Sequence, residues 1–254
     1  MLIAITRAVS PAIAECELTH LAREPIDSAR ASAQHDNYER RLEQLGCRVR
    51  RLPVEPALPD SVFVEDTAVV TDELAVITRP GAASRRPETA SIARALEAFR
   101  KLAFIESPGT LDGGDVLRVG KTVFVGLSQR TNQEGVNQLA SLLNPFGYEV
   151  RAIPLADCLH LKTAVTEVAD GTLLINRDWI NVSAFAGWKL IDVDPAEPFA
   201  ANALLIGDTV VYPTAFPLTR AKLESYGVKV LTVDVSELGK AEGGVTCCSL
   251  ILTV

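Results

Sequence analysis

A repeated order of segments is the feature that most constrains how this chain of 254 residues can fold. Each repeat is predicted to be a strand, a tight turn, a return strand, a helix and a closing strand. The turns carry short polar or glycine-containing pairs, namely Asp72-Glu73, Gly120-Lys121, Asp170-Gly171 and Gly207-Asp208. Such pairs between apolar runs are typical of β-hairpins. Self-similarity along a chain is typical of propellers, solenoids and arrays.

The repeats predict a closed ring. Their first strands are predicted over Ser61–Val70, Gly113–Val119, Ala164–Val168 and Asn202–Ile206. A fifth repeat is divided between the two ends of the sequence, as strand Val245–Leu252, strand Leu2–Thr6, helix Gln34–Leu45 and strand Arg48–Pro53. Ring closure leaves no exposed sheet edge. The sequence therefore predicts one α/β domain over residues 1–254, a five-bladed α/β propeller of ββαβ units closed by joining of the two termini.

The segment from Arg7 to Ala33 shows no clean hydrophobic periodicity. Long irregular segments inside a compact chain are usually functional loops or lids. We therefore expect this segment to cover a site. In a ring, equivalent strand starts converge on the axis, so residues 61–66, 112–115, 160–163 and 243–247 are expected to meet there.

The sequence around Cys247 is typical of a fixed nucleophile. Gly243 and Gly244 relax the steric limits on the backbone just before a predicted strand. A single buried cysteine is more often a small apolar residue than a catalyst. His160, however, precedes the third repeat at the place equivalent to Cys247. A cysteine close to a histidine can act as a thiolate with an acid–base partner.

Charged residues complete the predicted site. Acids occur at the other strand starts, namely Asp60, Glu65, Asp66, Asp112 and Asp115, and arginines occur in loops after the return strands, namely Arg85, Arg86 and Arg130. Buried carboxylates are costly unless they are paired. Carboxylates suit a planar guanidinium, whereas arginine suits the bidentate capture of a carboxylate. Together they predict an arginine-like substrate that is attacked at its guanidinium carbon.

Composition restricts the partners. The formal net charge of −7 and the pI of about 5.1 argue against nucleic acid, because phosphate binding requires a basic surface. No apolar run approaches the roughly 20 residues of a membrane span, and the N-terminal residues do not read as a signal peptide. The five cysteines show neither metal nor disulfide spacing, so we expect a reducing, cytoplasmic setting.

Five motifs follow one another at fitting spacing along essentially the whole chain. They are Ser61–Asp66, Arg79–Arg86, Leu111–Val116, Leu159–Thr163 and Thr246–Ser249. As a set they resemble the motifs of dimethylarginine dimethylaminohydrolases, which belong to the guanidino-modifying superfamily with the pentein fold. The Gly-Gly-Asp element alone would indicate only the superfamily.

The resemblance implies roles for three catalytic residues. Cys247, the first of the cysteine pair, would be the nucleophile. His160 would be the general acid and then the general base. Asp112 stands where the family has an acid that orients the substrate and the histidine.

The resemblance also implies a set of substrate contacts. Glu65 and Asp66 would contact the guanidinium, and Arg85 and Arg130 would clamp the carboxylate. Asp60 and the backbone of Leu18 would contact the α-amino group. A further backbone contact would come from Ala241. Ala241 departs from the branched aliphatic residue that relatives have at this place.

The implied reaction is hydrolysis of an Nω-methylated arginine to citrulline and a methylamine, through a covalent thiouronium and without a metal or organic cofactor. Zinc binding by the thiolate is left open. A deiminase of the same superfamily, acting on arginine or agmatine, is the nearest alternative. Agmatine is disfavoured because the two arginines would lack a carboxylate.

An alternative from another class is a catalytically empty pentein-fold factor that binds the ribosome. The joint presence of the cysteine, the histidine and the aspartate argues against it, as does the acidic pI. The expected partner is therefore a small cationic amino acid, with no nucleic acid and no membrane. A homodimer is left open.

The cysteine pair generates a first testable prediction. Cys247→Ser should abolish turnover, whereas Cys248→Ser should retain most of it, because neighbours on a strand face opposite sides and only one can line a site. Steady-state kinetics of the two variants provide the measurement, with each variant controlling for the other. An active Cys247→Ser enzyme would contradict the mechanism.

Overall fold

The computed structural model describes residues 1–156 and 158–254, which contain five sheets of three strands each. In every sheet an inner strand pairs antiparallel with a middle strand, and the middle strand pairs parallel with an outer strand. The strands are β1 Leu2–Arg7, β2 Cys47–Leu52, β3 Ala68–Val70, β4 Leu74–Ile77, β5 Lys101–Phe104, β6 Val116–Val119, β7 Thr122–Leu127, β8 Glu149–Pro154, β9 Val165–Ala169, β10 Thr172–Ile175, β11 Lys189–Asp192, β12 Leu204–Ile206, β13 Thr209–Pro213, β14 Lys229–Val233 and β15 Leu250–Thr253.

Helices connect the middle and outer strands of most sheets. The α-helices are α1 Ser28–Gln44, α2 Thr89–Leu96, α3 Gln133–Leu143, α4 Leu161–Ala164, α5 Pro217–Ser225 and α6 Ser236–Gly239. Short 3₁₀ segments occupy Ile13–Glu15, Val64–Thr67, Ala83–Glu88, Gly113–Asp115, Asn144–Phe146 and Val182–Phe185. Among the helices of the described residues, none is both long enough and apolar enough to cross a membrane.

The ring closes through the strands nearest the two ends of the chain. β15 pairs antiparallel with β1, from Leu2 opposite Thr253 to Ile5 opposite Leu250, and β1 pairs parallel with β2. Inner strands of successive sheets contact one another, because β3 contacts β15 and β9 contacts both β6 and β12. The predicted five-bladed α/β propeller with a blade shared by both termini is therefore confirmed.

The hydrophobic core lies between neighbouring blades. One cluster joins Ile3 and Ile5 of β1 to Ile77 of β4, to Ile92 of α2 and to Leu250 of β15. All four residues of β4 and of β10 are buried, as expected for strands that are covered on both faces. Each buried side chain of this size contributes about 1.5–3 kcal/mol. Blade-to-blade packing therefore fixes how the inner strand starts face the axis.

Tight turns replace three predicted strand segments near the axis. Strand structure begins only at Ala68, Val116 and Leu250, so the prediction of strand over Ser61–Thr67, Gly113–Asp115 and Val245–Ser249 was wrong. Some backbone N–H groups of these turns donate to side chains instead of to a neighbouring strand: the N–H of Gly114 donates to Asp66 at 2.9 Å, and that of Thr246 donates to Asn202 at 3.1 Å. The apolar residues of these segments are buried, which explains why they resembled strands.

The irregular segment is shorter than predicted. Helix α1 begins at Ser28, so the predicted helix start at Gln34 was wrong. Asp27 caps the helix by accepting the N–H of Arg30 at 3.0 Å. The first turns of α1 consist mostly of serine and alanine, which gave no apolar stripe to recognise.

Candidate active site

Two adjoining cavities lie over one end of the propeller axis. The larger has a volume of about 370 Å³ and the smaller about 20 Å³. His160, Cys247, Glu242 and Gly243 line both. The axial turns therefore bring the predicted cysteine and histidine into one site.

Cys247 lies in the turn before β15 and faces these cavities. The N–H of Gly244 donates to its Sγ at 3.3 Å. Burial and the negative charges of Glu65 and Asp66 raise the pKa of the Cys247 thiol to about 12. The resting thiol is therefore protonated at neutral pH, and only a change in its surroundings can release the thiolate.

Cys248 lines neither of the two cavities and is completely buried. It packs in the core cluster of α1, and its Sγ lies 3.6 Å from the carbonyl oxygen of Gly244. Burial raises the pKa of its thiol well above the usual value. The side chains of Cys247 and Cys248 are therefore separated by the geometry of a turn. The sequence had predicted that the alternation of a strand would separate them.

His160 is held between carboxylates at the start of α4. Its Nε2 lies 3.2 Å from Oδ2 of Asp112, and its Nδ1 lies 3.9 Å from Oδ1 of Asp66. Burial lowers the pKa of the imidazole, but Asp66, Asp115 and Asp112 raise it, with a net result of about 9. His160 is therefore an imidazolium at neutral pH and can act as a proton donor.

Hydrogen bonds from groups other than His160 hold the carboxylates of Asp112 and Asp66 in place. Asp112 accepts the N–H of Gly81 at 2.9 Å, and Asp66 accepts Nη1 of Arg85 at 2.6 Å. Burial raises the pKa of Asp66, but His160 and Arg85 lower it to about 2. Asp66 is therefore a permanent negative charge beside the histidine.

Gly114 permits this close approach. A Cβ at this position would lie 2.6 Å from Nδ1 of His160 and 2.8 Å from Oδ1 of Asp66. The Gly-Gly-Asp motif is thus explained by steric contact between two axial turns. Its aspartate, Asp115, is wholly buried and accepts the N–H of Leu161 at 3.0 Å, so it orients the backbone that carries His160.

Glu65 lies on the axis below Cys247. Its Oε1 pairs with Nζ of Lys162 at 2.5 Å, and its Oε2 accepts the hydroxyl of Thr246 at 2.7 Å. Burial raises the pKa of Glu65 despite the neighbouring lysine. These three residues also line a cavity of about 330 Å³ at the opposite end of the axis. The Glu65–Lys162 ion pair therefore separates the cavity at one end of the axis from the cavity at the other end.

The smaller cavity combines two arginines with four acids, which are Glu17, Asp60, Asp66 and Glu242. Asp60, Arg85 and Arg130 line it together with Ala241. Asp60 accepts the N–H of Glu17 at 3.1 Å. Carboxylates beside guanidinium groups suit the ammonium and the carboxylate of an amino acid.

The two arginines are held differently. Arg85 is 5% exposed and forms ion pairs with Asp66 and Glu88, at 2.6 and 2.9 Å. Arg130 donates through Nη2 to the hydroxyl of Thr19 at 2.8 Å, and no carboxylate among the described residues lies within ion-pair distance of it. Arg130 therefore has the more available guanidinium.

The predicted site residues lie together around the two cavities. Leu18 lies at the edge of this group. Leu18 is half-buried and packs on the core cluster beside Cys16. Its neighbours Glu17 and Thr19 contact Asp60 and Arg130. Their roles in a reaction stay predictions.

Sequence reasoning missed several supporting residues. Asn202 accepts the N–H of Thr246 at 3.1 Å and donates to the carbonyl oxygen of Lys162 at 3.1 Å. Lys162 belonged to a recognised motif, but no role was assigned to it. Asn202 gave no signal, because its partner Thr246 is 44 residues away along the chain.

Asp66, Asp112 and His160 each place one possible metal-ligand atom within 4.8 Å of the others. Both carboxylates already accept backbone N–H groups, from Gly114 and Gly81. Hydrogen bonding thus accounts for the grouping of these three side chains.

The chain was compared with known proteins. A family model for eukaryotic N,N dimethylarginine dimethylhydrolase matches residues 17–253. The N(G),N(G)-dimethylarginine dimethylaminohydrolase of Streptomyces coelicolor is 42% identical over 253 residues, covering 98% of this chain and 96% of the relative. The enzyme of the same name from Pseudomonas aeruginosa is 38% identical over 226 residues, covering 88% of this chain and 89% of the relative.

The fold is also similar to solved structures. One is the Pseudomonas aeruginosa DDAH as a cysteine-to-serine variant in complex with citrulline. It superposes with a TM-score of 0.93 at 36% identity, covering 98% of both chains. The similarity thus extends over the cavities as well as the blades.

The histidine environment generates a second prediction. Asp112→Asn removes one of the charges that raise the pKa of His160, so this pKa should fall from about 9 toward 6.5 and the imidazolium fraction at neutral pH should decrease. NMR titration of the histidine ring protons measures the change. His35 is an internal control, because burial and Arg51 lower its pKa to about 4 at a separate place. A His160 pKa that stays near 9 would show that Asp112 does not control its charge.

Proposed function

The chain belongs to the dimethylarginine dimethylaminohydrolase family, and we propose that it hydrolyses Nω-methylated arginine to citrulline and a methylamine through a covalent bond to Cys247. The observation that carries this proposal is the joint placement of a buried thiol, an imidazolium and fixed carboxylates beside a cavity of about 370 Å³. The guanidinium then lies beside Glu65 and Asp66, and the amino-acid end points toward the charged residues that line the smaller cavity.

Glu65 and Asp66 hold the substrate guanidinium, and the smaller cavity holds the other end. There Arg130 and Arg85 bind the carboxylate, and Asp60 and the backbone of Leu18 bind the α-amino group. The backbone of Ala241 makes a further contact. Support comes from the lining of this cavity, in which Asp60 lies with the guanidinium groups of Arg85 and Arg130.

Substrate binding itself activates the nucleophile. The charges of Glu65 and Asp66 are among the causes of the high thiol pKa of Cys247. A bound guanidinium cation offsets these charges, so the pKa of the thiol falls and its proton is released to solvent. The thiolate therefore forms only when the carbon that it attacks is in place.

Proton transfer follows from the charge of His160. Thiolate addition to the guanidinium carbon gives a tetrahedral intermediate. The His160 imidazolium protonates the methylated nitrogen, and the methylamine leaves behind a thiouronium on Cys247. Neutral His160, oriented by Asp112, then takes a proton from water, and the hydroxide displaces the thiolate as the citrulline carbonyl forms.

The larger cavity accommodates the methylated nitrogen. It lies beside Cys247 and is lined by apolar side chains that include Phe199, Pro213, Phe216 and Val235. Burial of methyl groups against such walls is favourable, at about 0.8 kcal/mol for each carbon. This lining favours a methylated arginine over arginine itself.

The net charge and the free thiols indicate the cellular location of the protein and the kind of partner that it binds. We propose a cytoplasmic protein that binds a small cationic amino acid and no nucleic acid, and that is able to form a homodimer. The net charge of −7 supports a cationic partner and argues against nucleic acid. The free thiols of Cys16, Cys47, Cys247 and Cys248 support a reducing setting.

A substrate panel tests the reaction. The wild-type protein should release citrulline and dimethylamine from Nω,Nω-dimethylarginine, citrulline and methylamine from the monomethylated form, and far less product from arginine or agmatine. Product analysis by mass spectrometry provides the measurement, with Cys247→Ser as the inactive control. Faster release of ammonia from arginine would instead identify a deiminase.

The carboxylate clamp generates a further prediction. Charge-assisted hydrogen bonds contribute about 1.5–3 kcal/mol, so Arg130→Ala should lower kcat/KM for the amino-acid substrate by roughly ten- to a hundredfold. Arg130 is the better choice than Arg85, whose loss would also leave Asp66 and Glu88 unpaired.

A decarboxylated substrate analogue is the matched control, because it has no carboxylate to lose. Its slow turnover should be almost unchanged in Arg130→Ala. Equal losses on both substrates would show that Arg130 supports the structure and does not bind the carboxylate.

A further inference from the structure

We propose that Glu242 is a positioning residue whose carboxylate holds residues 19–21 closed over the site, where His20 and Leu21 line the larger cavity and Thr19 contacts Arg130 of the smaller one. This inference rests on the proposed function for the location of the bound amino acid. Glu242 lies between the two cavities and lines both, next to Ala241 and Gly243.

Three consecutive backbone N–H groups converge on this one carboxylate. Thr19 donates to Oε2 at 2.9 Å, and His20 and Leu21 donate to Oε1 at 2.6 and 2.7 Å. Hydrogen bonds to an ionised acceptor are about twice as strong as neutral ones. Because both oxygens are used, the carboxylate fixes the position and the direction of the segment.

The backbone of Glu242 shows that its side chain is needed there. Its φ is 58°, and within residues 1–156 and 158–254 it is the one residue other than glycine with a positive φ. The N–H of Gly243 bonds to Leu238 at 3.0 Å, and the N–H of Glu242 bonds to Gly239 at 3.1 Å. This pattern is a Schellman motif, and the position that Glu242 occupies in it is usually glycine. Glycine would serve the backbone better, so the carboxylate is what favours glutamate.

Beyond residues 19–21, Nη2 of Arg23 donates to the carbonyl oxygen of Cys16 at 2.6 Å, and Nζ of Lys240 donates to that of Pro25 at 3.1 Å. Residues 20–25 are all exposed. Arg130 contacts the hydroxyl of Thr19, and Asp60 accepts the N–H of Glu17. Leu18 therefore lies between two residues that are tied to the predicted amino-acid subsite, and the Glu242 carboxylate fixes the chain immediately after it. Loss of that carboxylate should loosen the backbone of Leu18 while the thiol and the imidazolium stay in place.

Two substitutions separate this role from folding. Glu242→Gly keeps the left-handed backbone and removes the carboxylate, so the relief of backbone strain offsets part of the lost hydrogen bonding and the protein should stay folded. Glu242→Gln keeps the length of the side chain, but it has only one oxygen acceptor and no charge, and it should give an intermediate effect. A matched strain control is Gly46→Glu at the end of α1, where φ is 84° and the surroundings are open; its Tm should fall.

Amide hydrogen exchange without substrate is the direct measurement. In Glu242→Gly, exchange at residues 19–21 should accelerate by roughly tenfold or more, because their hydrogen-bond acceptor is lost. KM for the amino-acid substrate should rise by about tenfold with a much smaller change in kcat, since the proposed effect is on binding and not on the reacting groups.

Unchanged exchange at residues 19–21 in a folded Glu242→Gly protein would overturn the proposal. So would a loss that falls mainly on kcat. A rise in KM without faster exchange would also overturn it, because Glu242 would then contact the substrate directly. The exchange experiment needs no turnover, so it can fail or succeed independently of citrulline release by the wild type, which tests the proposed function.

Discussion

The charge balance around His160 is the constraint on which the rest of the site depends. Asp66 and Asp112 flank the imidazole, and Arg85 pairs with Asp66 at 2.6 Å. Breaking a buried pair by removing one partner is strongly destabilising, because it leaves an uncompensated charge. Each of these residues therefore requires the others, and the blades that carry them are held in one relative position.

The ring architecture makes this balance possible. Inner strands begin close to the axis, and the turns before them belong to different blades. Carboxylates in one turn accept backbone N–H groups of the next, as Asp66 does from Gly114. Turn-to-turn hydrogen bonds thus satisfy backbone groups that a longer strand would have paired, and they place charged atoms where a strand would have placed apolar ones.

The sequence predicted the repeats, the shared fifth blade and the residues that now surround the site, because hairpin turns and blade helices are local patterns. It did not predict the axial turns: Val62, Phe63 and Val64 are buried residues of a kind that also favours strands. It missed Asn202 and Glu242, whose roles depend on partners 44 and 221 residues away in sequence. Side chains that act through distant backbone groups leave no periodic signal.

The resting state of Cys247 has a consequence for chemical durability. Peroxide and electrophiles attack the thiolate and not the thiol, so a thiol with a pKa of about 12 reacts slowly with them at neutral pH. The same burial and the same carboxylates that prepare the site for a cation thus protect its sulfur from oxidation while it is idle. Oxidative inactivation should consequently follow occupancy by small cations rather than time in an oxidising solution.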